Sequence, residues 1–310
     1  MSVGRPPAQN VRSFFAFINE RHAIYLRRKD GQAWPWTEDP WLRDYKFCQV
    51  FRELDTVTIW IREHWREPYA DHPNLWFAMA VARQINWPPT LEAIGFPDFD
   101  PGTREASRWF ARAKSKMLQM QKRGEKIYTG AYMLTGMLGG SKIDQTLYKI
   151  LEPLSLGIGR NGEGGYRGEP LVNSSLEHAW SQLLPFAGFA GFLAYEVVSD
   201  WRHTRYLRKA DDIKTWANPG PGAIRGLCRL WGTPLKENRH GRLKPPPYDK
   251  QLALDQMRWL LEQSPKHLKS HVPALEMRDI EHCLCETDKY ERVKNGQGVL
   301  ERYKPPTGLL

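Results

Sequence analysis

Apolar residues recur at intervals of three and four along most of this chain, and no run alternates as a set of strands would. The spacing predicts a helix over Asn10–Arg28, carried by Val11, Phe14, Phe15, Ile18, Ala23, Ile24 and Leu26 and broken at Asp30-Gly31. Trp34-Pro35-Trp36-Thr37-Glu38-Asp39-Pro40 is too rich in proline for a helix interior and reads as a structured loop. Asp39 before Pro40 pairs an N-cap with a first-turn proline, the start of a helix expected over Trp41–Leu54. Helices follow at Val57–Arg66 and Pro73–Ile85, the latter apolar on nearly every side and so assigned to the core. Arg104–Arg123 carries a stripe of Trp109, Ala113, Met117 and Met120 with basic residues between. Ser175–Leu184, Phe192–Trp201, Gly222–Leu230, Asp249–Glu262 and Met277–Lys294 complete the pattern, which is all-α.

Gly157–Gly168 is a glycine-rich, basic stretch and marks the expected internal boundary. It divides an N-terminal helical part, 1–156, from a second helical part, 157–294, the two packed as one unit. Residues 295–310, with Pro305-Pro306 and Gly308, are expected to form a loose tail. No stretch approaches the roughly 18 apolar residues of a membrane span, and the first residues lack a secretory apolar core. The expectation is a cytoplasmic protein with no membrane association. Four cysteines in so long a chain are poor grounds for disulfides.

Charge sharpens this picture. Lys and Arg number 45 against 35 Asp and Glu, a formal net charge of +10, which favours a polyanionic partner. Thirteen Trp, twelve Tyr and twelve Phe accompany the basic residues, as nucleic-acid grooves require. Leu184–Asp200 then acquires a meaning. A helix ends near Leu184, a turn places Gly188 and Gly191 three apart, and a second helix begins with apolar residues. Such a turn brings backbone and helix N–H groups to a phosphate without reading bases. This stretch resembles the helix-hairpin-helix of base-excision DNA glycosylases, in which a catalytic aspartate follows at about the distance of Asp211-Asp212. The implied fold is DNA-glycosylase-like.

Other blocks carry a second resemblance. They are Arg21-His22-Ala23-Ile24-Tyr25 with Arg27-Arg28, Pro35-Trp36-Thr37 with Asp39-Pro40, and Phe51-Arg52-Glu53-Leu54-Asp55. Asp212-Ile213-Lys214-Thr215-Trp216-Ala217-Asn218-Pro219-Gly220-Pro221-Gly222-Ala223 and Glu281–Glu286 with Asp288–Arg292 continue it. Together they resemble the α-glutamyl/putrescinyl-thymine pyrophosphorylases of phages and bacteria, the amino acid:DNA transferases, and the related helical domain of hydroxymethyluracil DNA kinases. The resemblance implies a phage enzyme that replaces the (pyro)phosphate of phosphorylated 5-hydroxymethyl-deoxyuridine in DNA with the amine of a free amino acid or polyamine. A kinase would need G-x-x-x-x-G-K-[ST], and Gly136-Met137-Leu138-Gly139-Gly140-Ser141-Lys142-Ile143 fails that pattern. The alternatives are a glycosylase, or a non-catalytic DNA-binding partner of a hydroxymethyluracil DNA kinase.

Each part of that chemistry has candidates. The incoming amine is protonated at neutral pH, so a carboxylate must take its proton. Asp212 is the first choice and Asp211 its neighbour, with Glu53, Asp55 and the N-cap Asp39 behind them. The leaving phosphate needs cations, for which Arg21, His22, Arg28, Arg52, Lys289 and Arg292 are available. Gly188, Gly191 and Arg225 are the expected DNA contacts. Tyr25, Trp36 and Trp216 are the expected platforms for an unstacked base. Cys283-x-Cys285 points its thiols to different faces of a helix and has no second pair of ligands, so neither a metal nor a cofactor is assigned.

Overall fold

The computed structural model describes residues 4–129, 139–158, 174–238, 243–297 and 301–305, and these are mostly helical. The chain divides into two compact units: residues 1–55 with 213–310, and residues 56–212. The division falls at two points away from the expected break at Gly157–Gly168, most of which lies outside the described residues.

The first unit joins both ends of the chain. It contains α1 (Ala8–Lys29), α2 (Pro40–Asp44), α11 (Pro221–Trp231), α12 (Lys250–His267) and α13 (Met277–Lys294), the last as its spacing predicts. Arg27, Arg28 and Lys29 close α1, where cations suit the negative end of the helix dipole. α13 packs against α1, α2, α11 and α12 and forms the unit's axis. Two glycines one turn apart make its contact with α11 close. A Cβ on Gly222 would collide with Cys285 Sγ, and one on Gly226 with the backbone carbonyl of Leu284. Because the obstacle at Gly226 is backbone, Gly226→Ala is expected to push the helices apart and destabilise the unit by about 1–3 kcal/mol. Urea unfolding of the variant against the parent chain measures it.

Side-chain amides from α1 complete the other helix ends. Asn10 donates to the Leu230 carbonyl at 2.9 Å, and Asn19 donates to His267 O at 3.0 Å while accepting from Lys269 N at 2.9 Å. Asp39 caps α2 as expected, accepting from the backbone N–H groups of Trp41 and Leu42. The helix expected to run to Leu54 nevertheless stops at Asp44. Tyr45 is extended and bridges to Arg302, Lys46 N donates to Glu301 O, and Tyr303 N donates to Asp44 O. Pairing with the chain's last residues outweighs the local helical pattern, and 301–303 are held rather than loose. Only a short 3-10 turn, Arg52–Leu54, remains of the helix's second half. Two-residue strands β1 (Lys236–Glu237) and β2 (Leu243–Lys244) pair antiparallel, the one strand pair among the described residues.

The second unit is built from α3 (Thr56–Ile61), α4 (Leu75–Ile85), α5 (Pro88–Ile94), α6 (Arg104–Lys122), α7 (Lys142–Asp144), α8 (Glu152–Leu156), α9 (Leu176–Leu183) and α10 (Gly191–Trp201). α3 continues into a π-helical turn at Arg62–Arg66, and another, Gln145–Leu151, joins α7 to α8. All eleven residues of α4 are buried, as its apolar circumference requires. The stripe of α6 is also buried. At the centre Arg83 of α4 meets Asp200 of α10 in a two-pronged ion pair, both side chains 1% exposed. Thr58 and Asn86 take further guanidinium hydrogens, and Arg66 approaches Asp200 at 3.9 Å.

α9 and α10 pack together through a tight turn. Trp180 Nε1 on α9 donates to the Gly191 carbonyl at 2.9 Å, and Phe186 and Phe189 of the turn are buried. Gly188 has φ +79°, and a Cβ there would lie 2.6 Å from Ile150 Cδ1. Packing and the left-handed backbone therefore account for this glycine without any ligand.

Candidate functional site

The extended segment after α2 lies along α13 and is fixed by side chains from two helices. Arg21 of α1 is buried and donates to the carbonyls of Cys48 (2.9 Å) and Phe47 (3.1 Å). Glu286 of α13 accepts from Cys48 N at 2.8 Å, and His282 Nε2 meets Gln49 O at 3.0 Å. Asp55, just past the 3-10 turn, accepts from Gln49 N at 3.0 Å. The result gathers Cys48, Asp55 and His282 so that one ligand-type atom from each lies within 4.8 Å of the others.

Charges of both signs surround this point. Glu286 and Asp55 act on the Cys48 thiol against Lys289 and Arg52, and Arg21 feels both carboxylates. Lys289 is 3.5 Å from Glu286 and lies over the Phe47 ring at 5.0 Å. Solvent reaches Cys48. Enough protein nonetheless surrounds it that desolvation, ahead of Glu286 and Asp55, pushes its thiol well up. Four of the residues expected in phosphate or proton chemistry, Arg21, Arg52, Asp55 and Lys289, thus come together here.

His22 stands beside the same loop. Its ring meets Phe51 edge-on at 5.3 Å, stacks on Tyr25 at 5.8 Å and lies parallel to His271 at 6.2 Å. Its Nδ1 is buried without a hydrogen-bond partner. Burial, then the charges of His271 and Arg21, lower its pKa below the ordinary 6.5. The unfolded chain then binds a proton that the folded chain refuses, so stability is complete above pH 6.5 and falls as pH drops through the lowered value. Denaturant midpoints between pH 7.5 and 5 are expected to show that fall, with a shallower slope in His22→Phe.

Other expected residues take structural positions. Trp36 and Trp216 are 6% and 5% exposed and present no open face to a base; core packing holds both. Arg28 lies 5.8 Å from the Trp36 ring. Asp39 caps α2 and also accepts from the Tyr290 hydroxyl at 2.6 Å. Arg225 and Arg292 converge with Arg229 on the fully buried Asp288, at 2.7, 3.4 and 2.9 Å, rather than standing free for DNA or phosphate. In the second unit, Asp212 accepts from Leu176 N and Glu177 N at 2.7 and 3.0 Å, so both its oxygens engage the start of α9. Asp211 and Asp212 belong to the second unit, Glu53 and Asp55 to the first. Sequence reasoning counted Cys48 only among the cysteines and named His282 and Glu286 only within the block Glu281–Glu286, because the backbone groups they meet lie more than 200 residues away.

This geometry is carried by a chain whose residues 8–299 match the family model described as 5-hmdU DNA kinase, helical domain. The chain belongs to that family. A 5-hmdU DNA kinase of Bacillus phage SP10 is 24% identical over 230 residues, covering 69% of this chain and 35% of that protein. This member of the helical-domain family therefore spans about a third of the length of that curated relative. No solved structure matches it. Among its described residues no helix is long and apolar enough to cross a membrane.

Proposed function

We propose that this chain modifies DNA bearing phosphorylated 5-hydroxymethyluracil, replacing the (pyro)phosphate on the base's CH2 with an amine from an amino acid or polyamine. The observation that carries the reading is the cluster at Cys48, where Glu286 and Asp55 accept from the backbone N–H groups of Cys48 and Gln49 and Lys289 lies 3.5 Å from Glu286. The amine nitrogen's lone pair forms the new C–N bond, and the C–O bond to phosphate breaks with its electrons leaving on oxygen. The ammonium proton passes to a carboxylate, in this reading Glu53 or Asp55. Arg52 and Lys289 stabilise the charge that grows on the departing phosphate, the kind of preorganised interaction that contributes most to such steps. The target base must leave the stack to be reached. In this reading the fold is glycosylase-like, and the α9–α10 hairpin with its exposed Phe192 grips the DNA backbone.

A second reading has an observation of its own: the family match is to a domain of a kinase, and the 310 residues contain no P-loop pattern. On that reading the chain holds DNA for a separate hydroxymethyluracil DNA kinase. One experiment separates the two. DNA carrying the phosphorylated base is incubated with the protein and glycine, glutamate or putrescine, and the nucleosides are weighed by mass spectrometry. The transferase yields an amine-bearing thymidine and one released phosphate or pyrophosphate. Salt-sensitive DNA binding with no product from any amine sinks the transferase and supports the kinase partner. Abasic sites formed without added amine would identify a glycosylase instead.

A further inference from the structure

We propose that Cys48, Asp55 and His282 bind a divalent metal ion of the zinc class, with a fourth position open to water or a phosphate oxygen. One candidate atom from each residue already lies within 4.8 Å of the others. Tetrahedral zinc with bonds of about 2.0–2.3 Å separates its ligand atoms by roughly 3.3–3.7 Å. About an ångström of side-chain adjustment therefore closes the site, and Cys48, the most exposed of the three, has room for it.

The surroundings orient the ligands as metal sites require. With Nε2 of His282 donating to Gln49 O at 3.0 Å, Nδ1 keeps its lone pair. The N–H of the same Gln49 peptide holds Asp55 Oδ1 at 3.0 Å and leaves Oδ2 available. Glu286 fixes the Cys48 backbone N–H, and Arg21 fixes the carbonyls of Phe47 and Cys48. One peptide therefore orients two ligands and two neighbouring helices anchor the third. A set of one thiolate, one imidazole and one carboxylate excludes magnesium and calcium, which take oxygen ligands, and suits zinc.

Charge then decides what fills the fourth position. The cations Arg21 and Lys289 belong to the helices that hold the loop, Lys289 3.5 Å from Glu286, and the anion class that a dication beside them fits is a phosphate oxygen. Metal binding itself does not depend on the transferase reading. If both hold, Asp55 is a ligand, and the ammonium proton falls to Glu53.

The full-length chain, stripped with chelator, is titrated with Co2+ and with Zn2+ against a chromophoric chelator. One equivalent of each is expected, with the near-ultraviolet thiolate-to-cobalt band and visible bands of a tetrahedral ion. Cys48→Ser is expected to remove the thiolate band, and Asp55→Asn and His282→Gln to weaken zinc binding by about tenfold or more. Circular dichroism and a thermal melt establish that each variant is folded, and Cys48, being exposed, is the safest of the three to change. Absence of a tight equivalent in the parent chain, or a thiolate band that survives Cys48→Ser, overturns the site whatever the catalytic assay shows.

Discussion

Asp200→Ala is expected to destabilise the 56–212 unit by about 3–5 kcal/mol, the cost of leaving one partner of a buried ion pair uncompensated. For a unit of this size that lowers its melting temperature by about 10 °C. Thr58 and Asn86 offer only neutral oxygens, and Arg66 adds a second cation that was also facing Asp200. The pair itself is not thereby shown to favour folding over an apolar core. Asp200→Leu combined with Arg83→Met is therefore expected to recover part of the loss, because it removes both members of the close pair and leaves only Arg66, whose contact with Asp200 is long at 3.9 Å. Differential scanning calorimetry of the single and double variants makes the comparison. A single variant that melts with the parent chain would refute the role given to this pair.

The second large effect is kinetic. Lys289→Met keeps an unbranched stem and removes the ammonium, which lies 5.0 Å from the Phe47 ring and 3.5 Å from Glu286. If the transferase reading holds, it is expected to lower kcat/KM on the phosphorylated substrate by about 10²–10³-fold, as removal of a preorganised charge-stabilising donor does. Stability should change little, since the Lys289–Glu286 contact is long and partly solvated. Lys294→Met on the same helix removes a cation that pairs with Glu291 and lies over the Tyr290 ring, and it is expected to leave turnover unchanged. Equal rates for the two variants would remove Lys289 from the mechanism.

Particular elements explain how far the residues alone lead. Met277–Lys294 and the stripe of α6 were legible because each helix buries one face, and spacing records a face directly. Asp39 was legible because a cap is a local signal. The end of α2 was not. Its extension to Leu54 looked helical, but strand-like pairing with 301–303 decides the backbone there, and that partner is more than 250 residues away. The site divides along the same line. Arg21, Arg52, Asp55 and Lys289 were singled out as charged residues in family-like blocks, whereas Cys48 and His282 gain meaning only beside each other. Arg225 and Arg292 illustrate the converse. Their charge suggested phosphate, yet Asp288, three residues beyond Cys285 on α13, claims both of them from the protein's interior.

The order in which the ribosome delivers the chain follows from the first unit's being made of both its ends. Residues 56–212 emerge as one continuous stretch and can condense as soon as they clear the exit tunnel. Helix α1 cannot. Its buried Phe14, Phe15 and Ile18 are made before the whole of 56–212, and the helices that pack against α1, namely α11, α12 and α13, are made after it. During that interval the apolar face of α1 stays uncovered, the kind of surface that chaperones bind and that drives aggregation in their absence. A ribosome-stalled chain ending before Met277 is therefore a chaperone client by construction, while its middle is already folded.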